Sequence, residues 1–118
     1  MIALQHRLLR ASRAFLDPML NLGLITCEEA ARVLREDVCL SDAMVTQEVD
    51  RYTFGMPGQA TSYFYGYQRL MTLRTSTKVA LGAKLARLVF NDFIIGQGLL
   101  PPKLLTAAVR HEFIPSQD

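Results

Sequence analysis

The sequence predicts an all-α protein, and three observations predict it. Apolar residues recur at three- and four-residue spacing in nearly every segment. No stretch alternates apolar and polar residues for long enough to make a convincing strand. Helix start and stop signals punctuate the chain throughout, from the Thr26-Cys27-Glu28-Glu29 cap to the Gly96-Gln97-Gly98 turn. The expectation is an array of about five to six helices joined by short loops, each packing mainly on its sequence neighbours. With 118 residues, 50% of them hydrophobic, the chain is long enough for a single domain, residues 1–118, around one core.

The first helix is expected to carry an apolar face of Leu4, Leu8, Ala11 and Phe15, with Arg7, Arg10 and Arg13 on another line around it. Asp17-Pro18 should kink or restart that helix, because proline has no N–H and disfavours a helical predecessor. Gly23 is its natural stop. Thr26 and Glu29 have capping-box spacing, which starts a second helix through about Arg35 with Ala30, Val33 and Leu34 inward. Ser41 caps a third helix running to about Phe54, with Val45, Val49 and Tyr52 on one face. After a break at Pro57-Gly58, a long helix spans about Gln59 to Leu81, with Tyr63, Tyr67, Leu70 and Arg74 along one side and Gln68, Arg69, Thr72 and Thr75 solvated. Gly82 ends it. A fifth helix covers about Lys84 to Ile95, packing through Leu85, Leu88 and Val89, and Pro101-Pro102 opens a short last one. Residues 115–118 read as a frayed tail.

Composition removes several function classes. Thirteen basic against eleven acidic residues is too even a balance to argue for a nucleic-acid or membrane surface. Arg7, Arg10 and Arg13 therefore read as a solvated face or as salt-bridge partners, and a basic-helix nucleic-acid binder ranks last. The most apolar window, Leu88 to Leu100, is too short and too polar to span a membrane. No signal peptide is visible. Cys27 and Cys39 fit neither a zinc ribbon nor a disulfide framework and read as reduced thiols in a cytoplasmic setting. His111-Glu112 starts like a zinc-peptidase motif, but the second histidine it needs would stand at Pro115. No metal site is expected from these residues, His6 included.

The stretch from Arg51 to Gly66 holds the candidate chemistry. A helix ends there, the chain breaks at Pro57-Gly58, and a new helix begins among polar side chains and aromatics. Such a break frees backbone N–H groups that can face a ligand. Arg51 is either half of an ordinary helix ion pair with Glu48 or a guanidinium held to grip a carboxylate. Tyr63, in the first turns of the new helix, is placed to donate to an oxyanion in a cleft.

Arg51-Tyr52, Pro57-Gly58-Gln59-Ala60, Tyr63 and Gly66 resemble the C-terminal signature of the bacterial domain-of-unknown-function family 885. The similarity extends through Leu70, Leu73-Arg74, Leu81-Gly82, Phe90, Phe93 and Gly98-Leu99-Leu100-Pro101, and upstream through Arg10, Arg13, Asp17, Leu20, Gly23, Glu28-Glu29-Ala30 and Leu34. The resemblance implies a helical, zinc-metallopeptidase-like protein several times longer than this chain, its metal-binding His/Glu motif lying well upstream of the matched region. It implies catalytic work for Tyr63, as an oxyanion donor, and substrate contacts for Arg51, Tyr52 and Gln59. One departure is Asn21, where the family commonly carries His, since an amide cannot take up a proton at neutral pH as imidazole does. The resulting expectation is a C-terminal fragment that lacks the zinc motif and is inactive alone, zinc belonging to the full-length family. Its partner would be the missing N-terminal catalytic portion, or a second copy joined through an exposed apolar face. The alternative is a stand-alone helical interaction module.

Overall fold

The structure, a computed structural model, describes residues 2–117. Among them there are six α-helices and no strand. They are α1 (Ile2–Asn21), α2 (Cys27–Glu36), α3 (Asp42–Asp50), α4 (Thr61–Leu81), α5 (Arg87–Gly96) and α6 (Pro102–Ala108). A turn of π-helix, Arg51–Gly55, continues α3, and another, Val109–Phe113, continues α6. The chain divides into two compact units, Met1–Tyr65 and Gly66–Asp118. Where length alone suggests one core, each unit has its own.

In the first unit α1 buries Leu9, Ser12, Arg13, Leu16 and Asp17. That stripe has the three- and four-residue spacing of a helix face, yet it includes two charges. The all-apolar line that the sequence favours is turned outward: Leu4 is 67% exposed, and Leu8 and Phe15 are 46% exposed. Hydrophobic periodicity was overridden because Arg13 and Asp17 have partners on α3 and in the loop after the π-turn. Nor does α1 restart at Pro18; it runs through to Asn21. The Ala14 carbonyl, which cannot receive an N–H from Pro18, accepts the Thr61 hydroxyl at 3.4 Å.

The end of α1 is a Schellman turn. Leu24 N–H donates to Met19 O at 2.9 Å and Gly23 N–H to Leu20 O at 3.0 Å, with Gly23 at φ +69°. The capping box of α2 is complete: Glu29 N–H donates to Thr26 Oγ1 at 3.2 Å and Thr26 N–H to Glu29 Oε2 at 2.8 Å. Ser41 occupies the N-cap of α3 in extended backbone but makes no side-chain cap bond. Ala30, Leu34, Val38, Leu40, Val45, Tyr52 and Ala60 complete the first core.

In the second unit Leu73, Leu81, Phe90, Val109 and Phe113 form the core, with Leu85, Phe93, Ile94 and Leu105 packed on it. Phe90 meets Phe113 edge-on at 5.5 Å between ring centroids. Along α4 the buried residues are Leu73, Thr77 and Leu81, and Thr77 returns its hydroxyl to Leu73 O at 2.8 Å. Two expected contacts of the fifth helix are absent. Leu88 is 72% exposed and Val89 is 47% exposed, because α5 begins at Arg87 and points Phe90 inward instead. Residues Pro115–Gln117 form a 3-10 turn rather than a frayed tail, and Asp118 lies outside the described residues.

Candidate functional site

The site lies wholly in the first unit, where the π-turn and the loop after it face α1 and α3. A π-turn widens the helix by one residue per turn, and such turns recur at functional sites. Here Met56 N–H reaches back to Arg51 O at 2.8 Å. That places Arg51 and Tyr52 side by side at the end of α3, Tyr52 buried and Arg51 toward the rim.

Glu48 is the hub beneath them. Its Oε2 accepts the Tyr52 hydroxyl at 2.6 Å and lies 3.4 Å from Arg13 Nη2, while Oε1 lies 3.7 Å from Arg51 Nη1. Burial, and then the bond to Glu48, push the Tyr52 phenol far above its ordinary value of 10.0. Tyr52 thus stays neutral. Its side chain has no exposed surface, and it lies beneath Arg51.

Arg51 reaches over the break. It donates to Gln59 Oε1, and its Nη2 lies 3.4 Å from the Tyr63 hydroxyl oxygen. Gln59 Nε2 also donates to that oxygen, at 3.4 Å. The bond to Tyr63 raises the Arg51 pKa, against burial. In return the bond from Gln59, then the bond and charge of Arg51, lower the Tyr63 pKa from 10.0. Tyr63 is 44% exposed. Both contacts donate to its oxygen, so neither of them uses the hydroxyl as a donor.

Two backbone N–H groups at the break are taken up within the fold. Gly58 N–H donates to Asp17 Oδ1 at 2.7 Å and Ala60 N–H to Asp17 Oδ2 at 2.8 Å. Asp17 is fully buried, and Asn21 Nδ2 donates to its Oδ1 at 2.9 Å and to the Tyr52 carbonyl at 3.2 Å. Gly58 and Ala60 flank Gln59, so one carboxylate of α1 grips the residues on either side of it. Gly58 sits at φ +78°, which permits the tight passage there. Asn21 makes a double contact here: one NH2 group serves both Asp17 and Tyr52.

The structure therefore brings Arg51, Gln59 and Tyr63 together at the rim, with Tyr52 below. Of the two readings of Arg13, a solvated face or a salt-bridge partner, the structure has the second, with Glu48, and the helix ion pair of Glu48 with Arg51 is present as well. The place of Asp17 was not legible in the sequence. The signal for Asp17 and Arg13 was the 9-12-13-16-17 spacing, which only emerges once charged residues are admitted to a buried face.

The cluster can stabilise negative charge. Arg51 is partly open, and the acidified Tyr63 phenol is a better hydrogen-bond donor than a free one. It holds no unengaged base, since Glu48 is held by Arg13, Arg51 and Tyr52, and Asp17 by three N–H donors. The donors present do not fit a zinc site: among the described residues no three His, Cys, Asp or Glu side chains converge.

An all-α protein with a two-unit packing and an arginine–glutamine–tyrosine cluster at a π-turn is the class these features define. The chain belongs to the family described as bacterial protein of unknown function (DUF885), whose model matches residues 1–109. No curated protein and no solved structure matches it. No helix among the described residues is long and apolar enough to cross a membrane.

Proposed function

We propose that this chain is the helical C-terminal part of a metallopeptidase-like hydrolase and supplies that protein's charge-stabilising side chains. Tyr63 donates to the oxyanion formed at the attacked carbonyl. Arg51 and Gln59 orient the substrate, Arg51 through a carboxylate. The zinc of that chemistry belongs to residues this chain does not carry, and the chain alone is inert. One observation carries the reading: the half-exposed Tyr63 oxygen accepts from both Arg51 and Gln59, which leaves its hydroxyl able to donate to a ligand.

The test is an NMR titration of the chain with N-acetyl dipeptides, carrying either a free or an amidated C-terminus, alongside a peptide hydrolysis assay with and without added zinc. The free carboxylate is expected to shift the Tyr63 and Arg51 side-chain signals, and Arg51→Gln to remove the response. Amidated peptide is expected to shift neither. Unmoved signals at millimolar free carboxylate overturn the binding role. Hydrolysis abolished by Tyr63→Phe would show the chain to be an enzyme by itself.

A second reading, the interaction module, is supported by the outward line of Leu4, Leu8 and Phe15 on α1. In that reading the line joins two copies, and a monomer in sedimentation at high concentration overturns it.

A further inference from the structure

Arg13 has the least expected surroundings of any charge in the chain. It stands in the middle of α1, is only 8% exposed, and has its guanidinium 5.3 Å from the centroid of the Tyr63 ring. Arg51 holds a similar distance, 5.7 Å, from the same ring. Arg13 Nη2 pairs with Glu48 at 3.4 Å, but its buried Nε–H has no hydrogen-bond partner. A buried, unpaired N–H on a cation is destabilising, and an apolar side chain of similar length would avoid it. The pairing with Glu48 does not require arginine either, because Arg51 also pairs with that carboxylate and the Tyr52 hydroxyl donates to it. What only a guanidinium provides is a flat cation that can lie against an aromatic face while bonding a carboxylate with its other edge.

We propose that Arg13 is a positioning residue of the Arg51–Gln59–Tyr63 site: its guanidinium links Glu48 to the ring of Tyr63, fixes the direction of the phenol and adds a second positive charge beside it. This rests on the reading of Tyr63 as the site's donor, but not on hydrolysis. The aromatic ring alone could turn about its own side-chain bonds, since Tyr63 is nearly half exposed. Its hydroxyl contacts are long, 3.4 Å each, and are weak restraints. The cation against the ring supplies the missing restraint from α1, a different element from those that carry Arg51 and Gln59. The charged and titratable groups around the phenol are Arg13 from α1, Glu48 from α3, and Arg51 and Tyr52 from the π-turn. With two cations against one carboxylate, these groups carry one surplus positive charge, which suits a singly charged carboxylate or oxyanion at the rim. Asp17 is not counted, because its charge is spent on Gly58, Ala60 and Asn21.

The experiment follows the Tyr63 ring and its titration by NMR of ring-labelled tyrosine, with Tyr63→Phe to assign the signal, in Arg13→Met and Arg13→Lys. In Arg13→Met the Tyr63 ring signals are expected to move toward those of a free tyrosine, and the phenol to titrate at higher pH than in the parent chain. Arg13→Lys keeps the charge and the Glu48 pair, so it is expected to hold the titration near the parent's while the ring signals still move. A purely structural Arg13 would leave both readouts unchanged in Arg13→Lys, and that result overturns the proposal even if Arg13→Met fails to fold. Because neither readout involves turnover or a ligand, loss of the hydrolase reading leaves this result standing. Equally, a silent Arg13 leaves the carboxylate titration to be judged separately.

Discussion

Asp17 Oδ2 accepts the N–H of Ala60 at 2.8 Å, from a residue 43 positions further along the chain. Its other oxygen accepts Gly58 N–H, so the segment that carries Gln59 is held at both ends by one carboxylate. The loop just before α4 thus has two of its N–H groups satisfied by the protein's own anion. The consequence is rigidity where the rim needs it: Gln59 can bond Arg51 and Tyr63 together only if its backbone is fixed.

Asp17→Ala should accordingly be among the most damaging substitutions in the first unit. It strands the N–H groups of Gly58 and Ala60 in a buried place, and a loss of about 2–5 kcal/mol in urea unfolding is expected. The Gln59 side-chain amide signals should also collapse toward those of an exposed glutamine. An unfolding midpoint within experimental scatter of the parent's would show that the loop does not depend on this clamp.

The two neighbouring tyrosines should titrate on opposite sides of the ordinary 10.0. Tyr63 is lowered, first by its bond from Gln59 and then by Arg51, whereas Tyr52 is raised by burial and by Glu48. Gln59→Ala should shift Tyr63 back upward more than any other single change in its surroundings. The sign for stability follows. The depressed folded value of Tyr63 adds stability only in alkaline solution, present above the unfolded value and lost as pH falls through the folded one. At neutral pH it adds nothing. Tyr63 and Tyr52 titrating together would contradict the assigned partners.

The capping box of α2 makes an acid-side prediction. The Glu29 carboxyl is lowered from its ordinary 4.5, mainly by the Thr26 backbone N–H and then by the Thr26 hydroxyl. A lowered carboxyl contributes stability that is full above the unfolded value and disappears as pH falls through the folded value. Thr26→Ala should cost about 1 kcal/mol near neutrality. That cost should shrink in acid below the ordinary carboxylate range. A cost independent of pH would mean that Glu29 takes no part in the cap.

Local rules found these caps because every partner lies within four residues. The Thr26–Glu29 box, the Gly23 stop and the Pro57-Gly58 break could all be read from spacing alone. The grouping of Arg51, Gln59 and Tyr63 came instead from the family resemblance of the stretch they share. What stayed hidden depends on distant partners. Arg13 and Asp17 count against burial on any hydrophobic scale, and only Glu48, Gly58 and Ala60 make their burial tolerable. Apolar spacing therefore picks out Leu4, Leu8, Ala11 and Phe15 as the face of α1, of which Leu4, Leu8 and Phe15 are exposed. The π-turn was hidden for a related reason. One extra residue in a helix leaves no composition signal, and its effect here is geometric, keeping Tyr52 buried while Arg51 reaches the rim.

The same dependence on a distant partner explains how α1 survives Pro18. Proline inside a helix removes one hydrogen bond and presses its ring on the preceding turn, at a cost of about 3 kcal/mol. In this chain the orphaned Ala14 carbonyl receives the Thr61 hydroxyl from the first turn of α4. Thr61→Val should therefore cost about 0.5–1.5 kcal/mol, the net worth of one hydrogen bond. In a Pro18→Ala background residue 18 regains its N–H and can bond Ala14 itself, so the hydroxyl becomes redundant. A double-mutant cycle should then show positive coupling of about 0.5–1 kcal/mol between positions 18 and 61. Equal costs of Thr61→Val in both backgrounds would mean that the hydroxyl does not stand in for the lost N–H, and the continuity of α1 would have to come from its packed face alone. Coupling of the expected size would tie the first turn of α4, which carries Tyr63, to the helix that carries Arg13 and Asp17. The proline would then be part of how the site is held, because a helix that bonded all its own carbonyls would have nothing to offer Thr61.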